Sequence, residues 1–434
     1  MTDLRLVSSP VLASEFAGYG AQYNQNVYAA ISRNAGVTDE NVVTMEQALV
    51  DLEPKLVRVF FNGDALHDAD QMQSFQRTLA LAQRTASAIN VTFQGIGPHA
   101  HTGAMPAFAQ VLHDVVTNQG VSKLKWVTIR NEPNAPAMPR PLYKDLYVQL
   151  DRELTSLGVR SRIDFMGGDL RIEKQADWFH FLATEMHELL QAYSVHIYWN
   201  YFDPHNALHG IEPRLAGVRA ICDGLPAPGR KPVYVTEYGT RGVKDGDNRN
   251  APGLHRDGRP LAATNVNAFQ HGWFSLRAAM LGYLGTVKWD AYFGMYDKRP
   301  QAYSAIGSAK DGWPLQPVYR LLRMLTRTVT PGSDVLAFDG ADASKVVVAF
   351  SGPGGRLTIL GLDTDGSSLD EVSTTQPSYQ FSDLPANTSF QLHYWNFAGD
   401  GRNSAPARLQ SDASGALTVT APLQSVFALT TVDT

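Results

Sequence analysis

From about residue 14 to 330, short unbroken apolar runs alternate with longer segments whose apolar positions recur every three or four residues. The runs predict eight strands: Phe16 to Gln22, Leu56 to Asn62, Val91 to Gly97, Trp126 to Asn131, Ile163 to Gly168, Val195 to Trp199, Val233 to Tyr238 and Thr286 to Tyr292. Several, such as Val233-Tyr-Val-Thr, lack polar alternation, as expected of parallel strands covered on both faces. The segments between them carry helix punctuation. Pro141 opens Leu142 to Leu157, where Leu142, Leu146, Leu150 and Leu154 share one face, and Gly158 follows where a left-handed residue is favoured. Ala262 to Leu284 and Leu315 to Leu325 read as the seventh and eighth helices.

Alternating strands and helices imply parallel βαβ units, and eight of them fit a closed (β/α)8 barrel over residues 14–330. A doubly wound open sheet is the rival. It usually carries fewer units and a phosphate-binding glycine loop, and the chain has neither G-x-G-x-x-G after its first strand nor a P-loop. After Thr330-Pro-Gly the helical period stops. Short runs follow at Lys345 to Phe350, Arg356 to Leu360, Tyr379 to Phe381, Ser389 to Trp395, Ala416 to Val419 and Val426 to Thr431, separated by turns such as Gly352-Pro-Gly-Gly. This predicts an antiparallel β-sandwich over residues 331–434, with Leu4 to Leu12 adding a strand to it.

Composition narrows the function more than the fold. Hydrophobic residues make up 44% and charged residues 18%, ordinary for a folded chain of 434 residues. The net charge of −5 gives no electrostatic case for nucleic acid or an anionic membrane, and no 18-residue apolar run predicts a membrane span. Met1-Thr-Asp-Leu-Arg lacks the charged-then-apolar pattern of a signal peptide, so the expectation is a cytoplasmic protein or one whose leader has been removed. A single cysteine, Cys222, excludes an intramolecular disulfide and reads as helix packing. Aromatic residues at 10% would suit a ligand made of flat-faced rings, though cores use them too.

Functional residues of a (β/α)8 barrel sit at the C-terminal ends of its strands. Polar residues there are Arg58 and Asn62 on the second, His99 and His101 beyond the third, Asn131 and Glu132 at the fourth, His196, Tyr198 and Trp199 on the sixth, Glu237 at the seventh, and Trp289, Asp290 and Tyr292 on the eighth. Carboxylates ending the fourth and seventh strands face each other across a barrel mouth. That arrangement can set two carboxyls about 5 Å apart, as retaining glycoside hydrolysis requires. One of them then needs a raised pKa to protonate a departing oxygen. The other needs donors nearby to act as an ionised nucleophile, and Arg58 is placed to provide them. Asn131 is placed for a sugar 2-hydroxyl.

Trp126-Val-Thr-Ile-Arg-Asn131-Glu132-Pro133-Asn134 resembles the strand-four signature of clan A glycoside hydrolases, and Val233-Tyr-Val-Thr-Glu237-Tyr-Gly239 resembles their strand-seven nucleophile segment. Arg58, His196 with Tyr198, and Trp289 match the clan's ancillary positions on strands two, six and eight. The sandwich tail is similar to those of families 39, 30 and 51, and Gly18-Tyr-Gly-Ala-Gln-Tyr-Asn24 leans toward family 39. The resemblance implies Glu132 as acid/base, Glu237 as nucleophile, an oligo- or polysaccharide substrate, and neither cofactor nor metal. The polar segment Thr240 to Leu261 is no part of the clan pattern and is expected to overhang the site.

Other readings stand beside this one. The two glutamates could be rim ion pairs. His99 and His101 could begin a metal site with a carboxylate, as in a metal-dependent barrel hydrolase, but no third ligand is evident. Asp245-Gly-Asp247-Asn248 lacks the ladder of a calcium loop. A sugar-binding barrel without turnover is a further alternative, though it has no need to keep both glutamates. Of the aromatic residues near strands six and eight, Trp289 is expected under a sugar ring, with Trp199 and Tyr292 nearby.

Overall fold

The computed structural model describes residues 2–95, 102–135, 138–171, 176–202, 211–243, 253–293, 303–364, 375–397 and 406–432. Eight parallel strands close into a barrel: β1 (Gly18–Tyr23), β2 (Leu56–Asn62), β3 (Ala88–Gln94), β4 (Leu124–Ile129), β5 (Asp164–Arg171), β6 (Ala192–Asn200), β7 (Val233–Arg241) and β8 (Gly285–Lys288), with β8 hydrogen-bonded back to β1. All eight predicted strands are present. β3 begins three residues before the predicted Val91, because Asn90, which breaks the apolar run, points inward and accepts a hydrogen bond from Thr128 at 3.2 Å. β8 stops at Lys288, and Tyr292–Phe293 instead pairs with Ile306–Ser308 in a separate two-stranded sheet.

The predicted helices form with shifted ends, at Arg140–Ser156, Asn265–Met280 and Pro317–Thr328. Gly158 takes φ +73° just past the first of them, the left-handed conformation that Gly adopts without steric cost. No described helix is long and apolar enough to cross a membrane. Cys222 is buried on Glu212–Asp223, and burial pushes its thiol up to about 12.

The C-terminal strands form a separate, mostly antiparallel sheet. Thr2–Val7 joins it, antiparallel to Ser333–Asp339 and parallel to Ser378–Ser382. The chain thus starts a strand of this layer, builds the barrel, and returns. Its second face encloses its own core, including Leu4, Phe338, Tyr379, Phe381 and Phe427. The face toward the barrel shares the main core, where Phe350 packs its ring 5.0 Å from Phe16. Trp273 Nε1 on a barrel helix donates to the Ala343 carbonyl at 2.8 Å, and Trp395 Nε1 donates back to the Pro317 carbonyl at 3.2 Å.

Inside the barrel, the N-terminal end is closed by Leu56, Trp126, Met166, Ala192, Tyr234 and Val287. One side-chain layer up, the same strands turn polar. Arg58 on β2, Thr92 on β3, Thr128 on β4, Asp169 on β5, Ser194 and His196 on β6, and Thr236 and Glu237 on β7 are all buried. Burial of that many polar groups is tolerable because nearly all of their polar atoms hydrogen-bond to one another, His196 Nε2 excepted.

Candidate active site

Arg58 organises the C-terminal end of the barrel. Its guanidinium is fully buried and all three nitrogens donate. Nε donates to Thr92 Oγ1 at 3.0 Å and Nη1 to Gln22 Oε1 at 3.1 Å and Glu237 Oε2 at 2.8 Å. Nη2 donates to Asn131 Oδ1 at 2.8 Å and Asp169 Oδ2 at 2.6 Å. One planar fork thereby fixes side chains from β1, β3, β5, β7 and the end of β4, a geometry that lysine cannot supply.

Glu237 reaches the mouth through an irregularity. β6 and β7 pair Val195 with Val235, then His196 with Glu237, so Thr236 is the extra residue of a bulge. Without it, Thr236 and Glu237 would face opposite sides. With it, Thr236 Oγ1 donates to Asp169 at 2.5 Å while Glu237 meets Arg58. The second Glu237 oxygen accepts from the Tyr198 hydroxyl at 2.6 Å. Burial, followed by the nearby Glu237 charge, holds the Tyr198 phenol well above its usual range, so it stays a donor.

Glu132 lies just past β4 in a left-handed conformation, φ +49°, as does Arg130 at +69°. Each costs on the order of 1 kcal/mol and needs surrounding contacts to persist. The contacts are present: Arg130 N donates to the Phe93 carbonyl at 2.7 Å, Ala135 N to Glu132 O at 2.9 Å, and Asn134 exchanges two 3.0 Å hydrogen bonds with the backbone of Arg171. The Asn-Glu-Pro-Asn run is therefore a pinned turn. Asn131 accepts from Arg58 through Oδ1, which orients its amide nitrogen as the remaining donor.

His196 lies between the carboxylates. Its Nδ1 is 3.2 Å from Glu132 Oε1 and 3.8 Å from Glu237 Oε2, and its Nε2 is 3.4 Å from Asp169 Oδ1. Burial alone would lower the imidazole, but Glu237, Asp169 and Glu132 together raise it to about 9. The ring is thus an imidazolium at neutral pH. Burial likewise works to raise Glu132, but the hydrogen bond and charge of His196, then Arg171 and Arg58, outweigh it, and the net shift is downward. The raised acid expected from the sequence is therefore not found in the ligand-free site, because the expectation took no account of a cationic neighbour.

Donor atoms of Glu132, His196 and Glu237 all lie within 4.8 Å of one another. The set could geometrically hold a cation, but two of its members already accept from cationic donors, and an imidazolium has no lone pair to offer a metal. The two carboxylates differ in exposure. The Glu132 side chain is 23% exposed and the Glu237 side chain 9%, so water reaches the former more readily.

The remaining predicted residues fall into three groups. Trp289 is half-buried beside Phe60, ring centroids 5.8 Å apart. Trp199 turns away from the mouth. It stacks on Phe274 and Tyr238 and donates from Nε1 to Gln270 at 2.8 Å, as strand-to-helix packing. Tyr292 is also core, its ring against Tyr23 and its hydroxyl on the Asn24 carbonyl at 3.1 Å. His99, His101, and residues 244–252 of the 240–261 segment, Asp245 and Asp247 among them, lie outside the described residues. Sequence reasoning missed Gln22, Asp169 and Tyr303. Tyr303 packs edge-on to Tyr198 at 5.7 Å. Asp169, with φ +52° beside Gly168 at +127°, sits at a register break in the β5–β6 pairing, which no period reveals. Asp290, left open by the sequence, is buried, and burial raises its carboxyl to about 6.

Fold and site together define a (β/α)8 barrel with a β-sandwich companion and two glutamates converging at the barrel mouth. Solved structures of the same architecture include the catalytic domain of GH30 xylanase C from Talaromyces cellulolyticus, with a TM-score of 0.69 at 11% identity over 100% of both chains. The α-L-arabinofuranosidase from Thermotoga maritima gives the same values. A GH39 β-xylosidase from Caulobacter crescentus gives 0.60 at 12% identity, covering 100% of this chain and 99% of that one. Family 39 therefore stands beside families 30 and 51 among the structural neighbours. No family model matches the sequence, and neither does any curated protein. At these identities the likeness is one of fold.

Proposed function

We propose that this protein is a retaining glycoside hydrolase that cleaves O-glycosidic bonds of an oligo- or polysaccharide, with Glu132 as acid/base and Glu237 as nucleophile. The observation that carries the reading is the approach of the two carboxylates, an oxygen of one lying within 4.8 Å of an oxygen of the other. That closeness supports direct attack by a carboxylate, for which carboxyl groups about 5–5.5 Å apart are typical, over the wider spacing of about 6.5–9.5 Å in an inverting enzyme. In this reading Glu237, hydrogen-bonded by Arg58 and Tyr198, attacks the anomeric carbon while Glu132 protonates the departing oxygen. Water, deprotonated by Glu132, then releases the sugar from Glu237. Residues 14–330 form the catalytic unit and residues 331–434, with the N-terminal strand, brace it. Asn131, Trp289 and Tyr198 face the sugar, and no cofactor is required.

The neighbours named as a xylanase, a xylosidase and an arabinofuranosidase make pentose glycosides the first substrates to try. The test is a panel of 4-nitrophenyl glycosides, arabinofuranosides, xylosides and galactosides among them, followed by proton NMR of the first-formed anomer. Net retention is expected. Initial inversion would refute the mechanism, and turnover surviving Glu237→Gln would refute the assignment.

A further inference from the structure

The mechanism above uses two carboxylates, yet a third lies deeper and is more elaborately held than either. Asp169 is fully buried on β5. Its Oδ2 accepts from Arg58 Nη2 at 2.6 Å and lies 3.4 Å from Thr92 Oγ1. Its Oδ1 accepts from Ser194 Oγ at 2.8 Å and Thr236 Oγ1 at 2.5 Å, with His196 Nε2 3.4 Å away. Its own backbone N–H donates to Ser194 Oγ at 2.6 Å. The backbone is built for this placement. Asp169 is left-handed at φ +52°, and a Cβ on Gly168 would come within 2.4 Å of the Ser194 carbonyl oxygen. A purely structural partner for Arg58 would need only one oxygen. The other accepts from Ser194 and Thr236 and lies 3.4 Å from Nε2 of the imidazole that touches Glu132, close enough for charge attraction.

We propose that Asp169 is a positioning residue for the leaving-group proton: by anchoring His196 from behind, it keeps a proton on the imidazole nitrogen that faces Glu132. The inference rests on the glycosidase reading for its chemistry. As the glycosidic bond breaks and its electron pair goes to the departing oxygen, Glu132 gives up a proton. His196 Nδ1–H supplies that proton to Glu132, leaving a neutral imidazole with Nε2–H toward Asp169. The water that later enters returns the proton through Glu132 to Nδ1, so the enzyme ends as it began. Charged and titratable groups facing this chain are Arg58 on β2, Glu132 and Arg171 at the ends of β4 and β5, Glu237 on β7, Tyr198 on the same strand as His196, and Tyr143 and Tyr147 on helix Arg140–Ser156. Asp169, Glu132 and Glu237 are three carboxylates against the two guanidinium groups of Arg58 and Arg171, so the imidazolium supplies the third positive charge and is the proton store.

The arrangement reconciles a lowered Glu132 with work as an acid. A carboxylate that is ionised in the resting site still delivers a proton if a neighbour 3.2 Å away holds one.

The experiment uses the full chain labelled with 15N-histidine, with His196→Gln identifying the His196 ring resonances. Both ring nitrogens of His196 should be protonated at pH 7.5, with loss of one proton centred near pH 9. In Asp169→Asn the midpoint should fall by at least about one pH unit. A neutral His196 at pH 7.5 in the wild type overturns the proposal, and so does an unmoved midpoint in Asp169→Asn. If Asp169→Asn does not fold, the wild-type titration still decides. Kinetics give a second arm with aryl glycosides of the sugar that the substrate panel identifies. Asp169→Asn should cut kcat/KM about ten-fold or more for a phenyl leaving group, which needs the proton, and far less for 2,4-dinitrophenyl, which does not. Equal losses on both leaving groups reduce Asp169 to a structural role and overturn the proposal. The titration needs no substrate, so its result stands apart from the fate of the glycosidase reading, which the anomer test decides.

Discussion

The two ends of the barrel are made by the same strands and obey opposite rules. At the N-terminal end Leu56, Trp126, Met166, Ala192, Tyr234 and Val287 fill the interior with apolar side chains. Two residues further along β2, Leu56 gives way to Arg58, and along β6 Ala192 gives way to Ser194, His196 and Tyr198. The floor is held by packing, in which each side chain contributes through the area it removes from water. The mouth is held by donors and acceptors that must all be matched, since an unmatched buried charge costs several kcal/mol. Register breaks beside Asp169 and Glu237 point successive side chains to one side at the mouth, and two more adjoin Trp126 and Val287 on the floor. The ends therefore differ in the polarity of the side chains the strands turn inward, and at the mouth the breaks carry charged groups with them.

The contrast predicts unequal responses to substitution. Glu237→Gln should reduce kcat by on the order of 10⁴- to 10⁶-fold, as removal of an attacking group does elsewhere, while the urea midpoint moves little. Unimpaired turnover of the variant on an active aryl glycoside would break the assignment. Arg58→Met comes next. It takes from Asp169 and Glu237 the cation that is hydrogen-bonded to both, leaving only His196 beside them, and should cost about 3–5 kcal/mol in chemical denaturation. Met166→Ala, on the floor of the same barrel, should cost a comparable or smaller amount, about 2–5 kcal/mol. It should leave the pH dependence of kcat/KM unchanged, however, whereas any residual activity of Arg58→Met should show a displaced profile. Identical profiles for the two variants would erase the distinction between the ends.

How much of this was legible beforehand follows the same division. The eight barrel strands, the C-terminal antiparallel layer and the N-terminal strand that joins it were readable, because apolar period and turn residues report burial on two faces or one. Strand Ser333–Asp339, which links Thr2–Val7 to the rest of that layer, was not, as Ser-Asp-Val-Leu-Ala-Phe-Asp is short and follows a turn with no break. Glu132 and Glu237 stand out as candidates because strand ends in this fold collect chemistry, and Arg58, His196 and Tyr198 lie against them. Trp199 and Tyr292, candidates from the same reasoning, pack into the core, for an aromatic residue at a strand end faces helix or mouth according to a single residue of register. Asp169 was invisible for a related reason. It sits within Met166-Gly-Gly-Asp-Leu, which reads as the fading end of an apolar run, and only the left-handed backbone reveals that the carboxylate turns inward.

The smallest expected effect separates the ends most cleanly, because it concerns protons and the floor has none to exchange. His196 is raised from 6.5 to about 9. A group raised on folding contributes stability that is fully present below its unfolded value and is lost as pH climbs through its folded one. Asp169 and Glu132 are lowered, so their contributions are complete above the ordinary carboxylate range and decline only on the acid side. The His196 contribution should therefore be level between about pH 5 and 6.5 and then fall by on the order of 1–3 kcal/mol toward pH 9. Urea midpoints of wild type and His196→Gln at half-unit pH intervals measure it as a difference, in which the opposing contributions of Asp290, raised to about 6, and Lys288, lowered to about 7, cancel. Met166→Ala should give a curve displaced downward but parallel to the wild type, whereas the gap between wild type and His196→Gln should close as pH rises from 6.5 to 9. A gap that stays constant over that range would mean a neutral imidazole, and the charge balance drawn for the mouth would have to be redrawn with Glu132 holding the proton itself.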